Sequence, residues 1–213
     1  MRLSPLNVIL DTDVAARAGW TLPDLAAACV AGGARWLQIR AKTISGGALL
    51  DLAIRIGDIA HAAGGILVVN DRVDIARLAG ADGVHVGQED VSPADARAVL
   101  GSGPIVGFST HTETQVDAAV AEPVSYIAVG PVFGTATKDT GYTSVGLELV
   151  RYASAAIGRA APPRDLVAIG GITLDRAADV IAAGATAVAV IADLLATGDP
   201  EARVRAYLAR LSE

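Results

Sequence analysis

Gln38, Arg40 and Lys42 stand at alternate positions of the run Trp36-Leu37-Gln38-Ile39-Arg40-Ala41-Lys42. In an extended strand, side chains two residues apart share one face. An amide, a guanidinium and an ammonium thus point the same way, a donor set suited to an anion. A solvated strand end is the plainer reading of Arg40 and Lys42, yet three polar groups on one face of a buried strand need a partner. Two further apolar runs end in carboxylates: Ile66-Leu67-Val68-Val69 leads into Asn70-Asp71-Arg72, and Gly83-Val84-His85-Val86-Gly87 leads into Gln88-Glu89-Asp90. Asp71 and Asp90, one strand apart, can hold a hard cation; Mg2+ takes oxygen ligands and keeps waters and substrate phosphates for the rest. They can equally cap the helices that follow. His85 points opposite to Val84 and Val86, either as a neutral hydrogen-bonding residue of the interior or as a substrate contact.

The remaining chemistry lies further along. Gly107-Phe108-Ser109-Thr110-His111-Thr112 is a hydroxyl-rich turn that offers Ser109 to an anion. Thr112 also suits an ordinary helix N-cap, and His111 is either a proton-transfer group or a solvated loop histidine. The stretch from Pro131 to Gly141 is the longest loop in the chain, and its Thr135, Thr137 and Lys138 supply two hydroxyls and a cation, donors for a pyrophosphate. Gly170-Gly171, and the chain after Val190 at Ile191 and Ala192, can present backbone N–H groups to a phosphate.

What must position these groups is a repeated strand-and-helix unit. Short apolar runs bounded by Gly, Asn or Asp alternate with Ala/Leu-rich segments of helical period. Eight strands are expected, over 7–12, 34–40, 66–70, 83–87, 105–109, 126–130, 166–170 and 187–191. Helices begin near Leu22, Ser45, Val73, Pro93, Thr114, Ser144, Leu174 and Pro200. Ser92 before Pro93 is an N-cap followed by proline at the first helical position, while Asp24 and Asp175 place carboxylates in first turns. Glycines at 32–33, 64–65, 80 and 184 read as helix ends before the next strand. The expected fold is α/β, a single-domain (β/α)8 TIM barrel over 1–213, with an open doubly wound sheet as the alternative. In either, ligands bind at the carboxyl ends of the strands, where the polar residues above collect.

Composition sets the limits. A net charge of −6 without a Lys/Arg cluster argues against nucleic acid, so any phosphate must be held by a local site. The single cysteine, Cys29, excludes an internal disulfide framework and suits a reducing cytoplasm; in an Ala-rich helical stretch it reads as a small core residue. No apolar run approaches the roughly 20 residues of a membrane span, and the N-terminus carries no signal-peptide pattern. The expected setting is cytoplasmic and the expected partners are small molecules.

Taken in order, Gln38 to Lys42, Asn70-Asp71-Arg72, Asp82 to Asp90, Gly130-Pro131-Val132-Phe133 with Thr135 to Lys138, and Gly170-Gly171-Ile172 resemble the thiamine-phosphate synthase family over essentially the whole chain. The resemblance implies joining of a hydroxymethylpyrimidine diphosphate to a thiazole phosphate with loss of pyrophosphate, through a pyrimidine carbocation captured by the thiazole nitrogen. It implies that Gln38, Arg40, Lys42 and Asn70 hold the diphosphate, that Asp71 and Asp90 bind Mg2+, and that Ser109 and Lys138 contact the pyrophosphate or pyrimidine. Arg40, Lys42, Ser109 and Lys138 are then the catalytic set. Thr135 and Thr137 would meet the thiazole phosphate, with Gly171 and the backbone at Ile191 and Ala192 completing its cradle. The family also suggests a homodimer or another small homo-oligomer.

Three positions depart from the family's pattern. Ala41 stands where an acidic residue is usual, which can loosen Arg40 or Lys42; Gly134 replaces a usual proline; Ala192 replaces a common serine and keeps only a backbone donor. The competing readings are a thiazole tautomerase with His111 as its acid/base, another phosphate-binding barrel enzyme, and a non-catalytic binding protein of the thiamine pathway. The diphosphate and metal residues speak against the first, and the joint order of the motifs against the second.

Overall fold

Eight parallel strands hydrogen-bond in chain order, and the eighth pairs with the first through Leu6–Val188, Asn7–Ala189 and Val8–Val190. This closes the sheet and decides for the barrel over the open sheet. The computed structural model describes residues 3–134, 143–160 and 164–212. Thr135, Thr137 and Lys138 lie outside the described residues.

The chain runs β1 (Leu6–Asp11), α1 (Thr12–Arg17), α2 (Leu22–Ala31), β2 (Trp36–Arg40), α3 (Gly46–Ala62), β3 (Ile66–Asn70), α4 (Val73–Leu78) and β4 (Gly83–Val86). It continues through α5 (Pro93–Leu100), β5 (Ile105–Thr110), α6 (Glu113–Ala121), β6 (Tyr126–Val129), α7 (Gly146–Gly158), β7 (Asp165–Ile169), α8 (Leu174–Ala182), β8 (Ala187–Val190), a 3-10 turn (Ala192–Leu195) and α9 (Pro200–Arg210). Two elements were not expected, α1 and the 3-10 turn. The first exists because the Asp11 carboxylate, at the end of β1, accepts from the backbone N–H groups of Asp13 at 3.1 Å and Val14 at 2.9 Å, turning Thr12 from a strand end into a helix start.

Alternation along each strand divides the interior in two. One set of side chains, including Leu6, Val8, Leu37, Ile39, Leu67 and Val69, packs outward against the helices. The other set fills the barrel: Ile9, Trp36, Val68, Tyr126, Ala128, Val167, Ala187 and Ala189. Trp36 and Tyr126 are the largest of these side chains and meet edge to face, with centroids 5.1 Å apart and planes at 79°. Such a pair contributes about 0.5–1.5 kcal/mol beyond its area. Small alanines on β6 and β8 leave room for the two rings. The helices are capped as their sequences suggest; Ser92 accepts from Asp95 N at 3.1 Å and Thr112 from Gln115 N at 3.2 Å. Cys29 is fully buried on α2, and burial pushes its thiol up to about 12. No helix among the described residues is long and apolar enough to cross a membrane.

Candidate active site

The buried polar side chains among the described residues are Asn7, Asp11, Gln38, His85, Ser109 and Thr110, all on strands of the barrel. A burial cost attaches to each unless it is paired, so their partners define the site. Register sets the first pairing. Asp11 on β1 lies beside Arg40 on β2, and the guanidinium closes on the Asp11 carboxylate. Arg40 is therefore held by a residue three elements earlier, which answers the loosening expected from Ala41. Its Nε is buried and has no hydrogen-bond partner among the described residues.

Below it runs a chain of amides. Asn7 Nδ2 donates to Gln38 Oε1 and Gln38 Nε2 donates to Asn70 Oδ1, each at 3.2 Å. Across the mouth, Lys42 Nζ contacts the Asp71 carboxylate, which sits on backbone with φ +64. Asp71 N donates to His85 O at 2.7 Å, so the left-handed kink is stitched to β4. Burial pushes the Asp71 carboxyl above its ordinary range, and the neighbouring Asp90 carboxylate adds to that; Lys42 opposes both without reversing them. Asp71 and Asp90 thus come together as expected. The capping alternative does not hold for Asp71, because α4 has no side-chain cap and α5 is capped by Ser92. Asp90 instead accepts from Gly87 N at 2.7 Å, which orients its carboxylate at the end of β4.

A cavity of about 410 Å³ opens among Gln38, Arg40, Asn70, His85, Ser109 and Gly171. Ile191 and Ala192 line it as well, whereas Lys42, Asp71 and Asp90 stand outside its lining. Gly171, at φ +60, is required by a close approach: a Cβ there would lie 2.5 Å from Gly134 O and 2.9 Å from Phe133 Cβ. Val132 N donates to Ile169 O at 2.8 Å and Phe133 N to Gly170 O at 3.0 Å, binding the start of the loop after β6 to the end of β7. Gly171→Ala is expected to destabilise the fold by about 1–3 kcal/mol through strain and collision. Thermal unfolding checks this, and an unchanged Tm would show that the two loops separate freely.

Five residues of the site were not anticipated. Asp11 and Asn7 are described above. Arg176, in the first turn of α8, donates to Gly171 O at 3.1 Å and lies 4.6 Å over the Phe133 ring. Asp193, in the 3-10 turn, accepts from Leu174 N at 3.2 Å and from Arg203 Nη2 at 2.7 Å. It thereby fixes the backbone at Ile191 and Ala192 against the start of α8. Tyr126 reaches His85 from the barrel floor. Only Asp11 left a signal, since Asn7, Ile9 and Asp11 repeat the alternate spacing of Trp36, Gln38 and Arg40. His111 lines the cavity with Nδ1 at 2.6 Å from Gly130 O; that carbonyl can only accept, so Nδ1 carries hydrogen.

A closed βα barrel whose polar cavity opens at the carboxyl ends of its strands places the chain among the α/β-barrel enzymes. Within that class it belongs to the thiamine monophosphate synthase family, whose model matches residues 6–194. A thiamine-phosphate synthase of Methanoculleus marisnigri is 40% identical over 201 residues, covering 94% of this chain and 93% of that protein. One from Gloeobacter violaceus is 43% identical over 176 residues, 83% of this chain but only 50% of its own length. The solved thiamine phosphate pyrophosphorylase of Pyrococcus furiosus superposes with a TM-score of 0.86 at 25% identity, covering 99% of this chain and 96% of that one.

Proposed function

We propose that this chain is a thiamine-phosphate synthase, a transferase that joins hydroxymethylpyrimidine diphosphate to thiazole phosphate and releases pyrophosphate. The observation that carries the reading is Arg40: a nearly buried guanidinium, fixed by Asp11 on one side, whose buried Nε lacks a partner among the described residues while the residue lines the cavity. An unsatisfied buried donor is costly, and a diphosphate oxygen is the acceptor that relieves it.

Departure of pyrophosphate from a benzylic-type carbon needs charge stabilisation and no protein nucleophile. Arg40, Lys42, Gln38 and Asn70 bind and orient the diphosphate, Ser109 contacts the pyrimidine end, and Lys138 adds a further charge. Gly171 with the backbone of Ile191 and Ala192 cradles the thiazole phosphate, a role to which Thr135 and Thr137 are assigned by the family resemblance. Asp71 and Asp90 fit Mg2+: two oxygen donors crowd together, and burial with Asp90 alongside disfavours the charge on Asp71, a cost that a bound cation would relieve. Bound there, Mg2+ would neutralise charge building on the leaving diphosphate. Lys42, which contacts Asp71, would then be free to turn to the substrate. A tautomerase acting on a monophosphate has no use for this diphosphate set.

The test supplies both substrates and Mg2+ and follows thiamine phosphate and pyrophosphate. Equimolar formation of the two, lost on chelation with EDTA, is expected; well-folded protein that makes neither sinks the proposal.

A further inference from the structure

The inner face of the barrel holds a second polar assembly, which reaches the cavity through His85 and Ser109. His85, Gly107 and Tyr126 occupy one register row across β4, β5 and β6. Gly107 sits between the other two, and a Cβ there would lie 2.0 Å from the Tyr126 ring. The glycine therefore clears the path along which the phenol reaches across a strand to the imidazole. The two rings stack, with centroids 5.5 Å apart and planes at 15°, and the Tyr126 hydroxyl lies 2.9 Å from His85 Nδ1. His85 Nε2 lies 2.8 Å from Ser109 Oγ, and Ser109 lines the cavity.

The direction of these bonds follows from burial. Tyr126 is 0% exposed, and among the described residues its hydroxyl bonds only to His85 Nδ1. A phenol carries one hydrogen, and leaving it buried without an acceptor costs more than any alternative arrangement here. Tyr126 thus donates to Nδ1. A hydrogen on Nδ1 would strand the phenol's own, so the imidazole is neutral and carries its hydrogen on Nε2, from which it donates to Ser109 Oγ. That bond fills the accepting side of the serine hydroxyl and leaves its hydrogen to be directed elsewhere.

We propose that Tyr126 and His85 are positioning residues that fix the Ser109 hydroxyl as a hydrogen-bond donor toward the cavity, where it meets an acceptor atom of the pyrimidine diphosphate. This deepens the synthase reading and rests on Ser109 as a substrate contact. It makes the serine selective for an acceptor at that place, since a ligand group with its own hydrogen would face the serine's hydrogen.

Two measurements test the relay. Long-range 1H–15N correlation on the 15N-labelled protein, at a pH where the imidazole is neutral, reads the tautomer of each of the three histidines; loss of one set in His85→Gln assigns it. The Nε2–H form at His85 is expected, and the Nδ1–H form overturns the proposal. In the synthase assay, Tyr126→Phe and Ser109→Ala should each lower kcat/KM for the pyrimidine diphosphate roughly tenfold and leave the thiazole phosphate KM unchanged. The double variant should be no worse than Ser109→Ala alone, because both act through one hydroxyl. Losses that multiply overturn the relay. Should the wild-type chain make no thiamine phosphate, the synthase reading falls and the spectrum alone decides the relay, by the same two outcomes.

Discussion

Arg40→Met is expected to lower stability by about 3–5 kcal/mol and to abolish measurable synthesis of thiamine phosphate. The stability loss comes from its partner: Asp11 is 3% exposed and would be left as a buried carboxylate with no counter-charge. For a chain of this size the shift in Tm is on the order of 10 °C. The two effects can be separated. In Asp11→Asn with Arg40→Met no buried charge remains, while the asparagine Oδ1 can still accept from Asp13 N and Val14 N and so keep α1 capped. Much of the stability should return in the double variant, and none of the activity. A double variant as unstable as the single would mean that Arg40 contributes by packing and not by neutralising Asp11. Activity in either would remove Arg40 from the diphosphate site.

Asp71→Asn is expected to act in opposite directions on stability and activity. Burial, with Asp90 beside it, raises the Asp71 carboxyl above its unfolded value. A carboxyl raised on folding favours the native state below its unfolded pKa, and that advantage is lost as pH rises through the folded value. At neutral pH the ionised Asp71 therefore costs stability in metal-free protein. Asparagine carries no charge and accepts the left-handed backbone at φ +64. The variant should gain a few tenths to about 1 kcal/mol at neutral pH, because the half-exposed Lys42 contact it forfeits contributes little. The gain should shrink towards pH 4. Activity at limiting Mg2+ should fall on the order of 10²-fold. Added Mg2+ should raise the Tm of the wild type alone. An equal Mg2+ response in both proteins would show that the cation binds elsewhere.

Most of the barrel was legible because the strands are short apolar runs set between Ala/Leu-rich segments of helical period, and because an extended run admits only two faces. The rim residues Gln38, Arg40, Asn70, Asp71 and Asp90 follow from those strand ends. Asp11 obeys the same rule but was hidden by the reading of Thr12 as the last residue of its strand; the helix that starts there depends on a side-chain cap that local pattern does not reveal. Contacts between distant strands were out of reach. His85 and Tyr126 are 41 positions apart, and only the register through Gly107 puts them in one row. Asp193 in the 3-10 turn and Arg176 in the first turn of α8 find their partners outside their own elements, so their roles as braces for the backbone at 170–171 and 191–192 appear only in three dimensions. The expected donors Thr135, Thr137 and Lys138 lie outside the described residues.

The buried thiol on α2 has a practical consequence. A sulfhydryl with no access to solvent, held protonated well above neutral pH, meets a disulfide reagent only while the shell around it is open. Cys29 is also the chain's one cysteine, so its labelling needs no site assignment. The protein thus contains its own stopwatch: the rate at which untreated enzyme takes up such a reagent counts opening events without denaturant or heat.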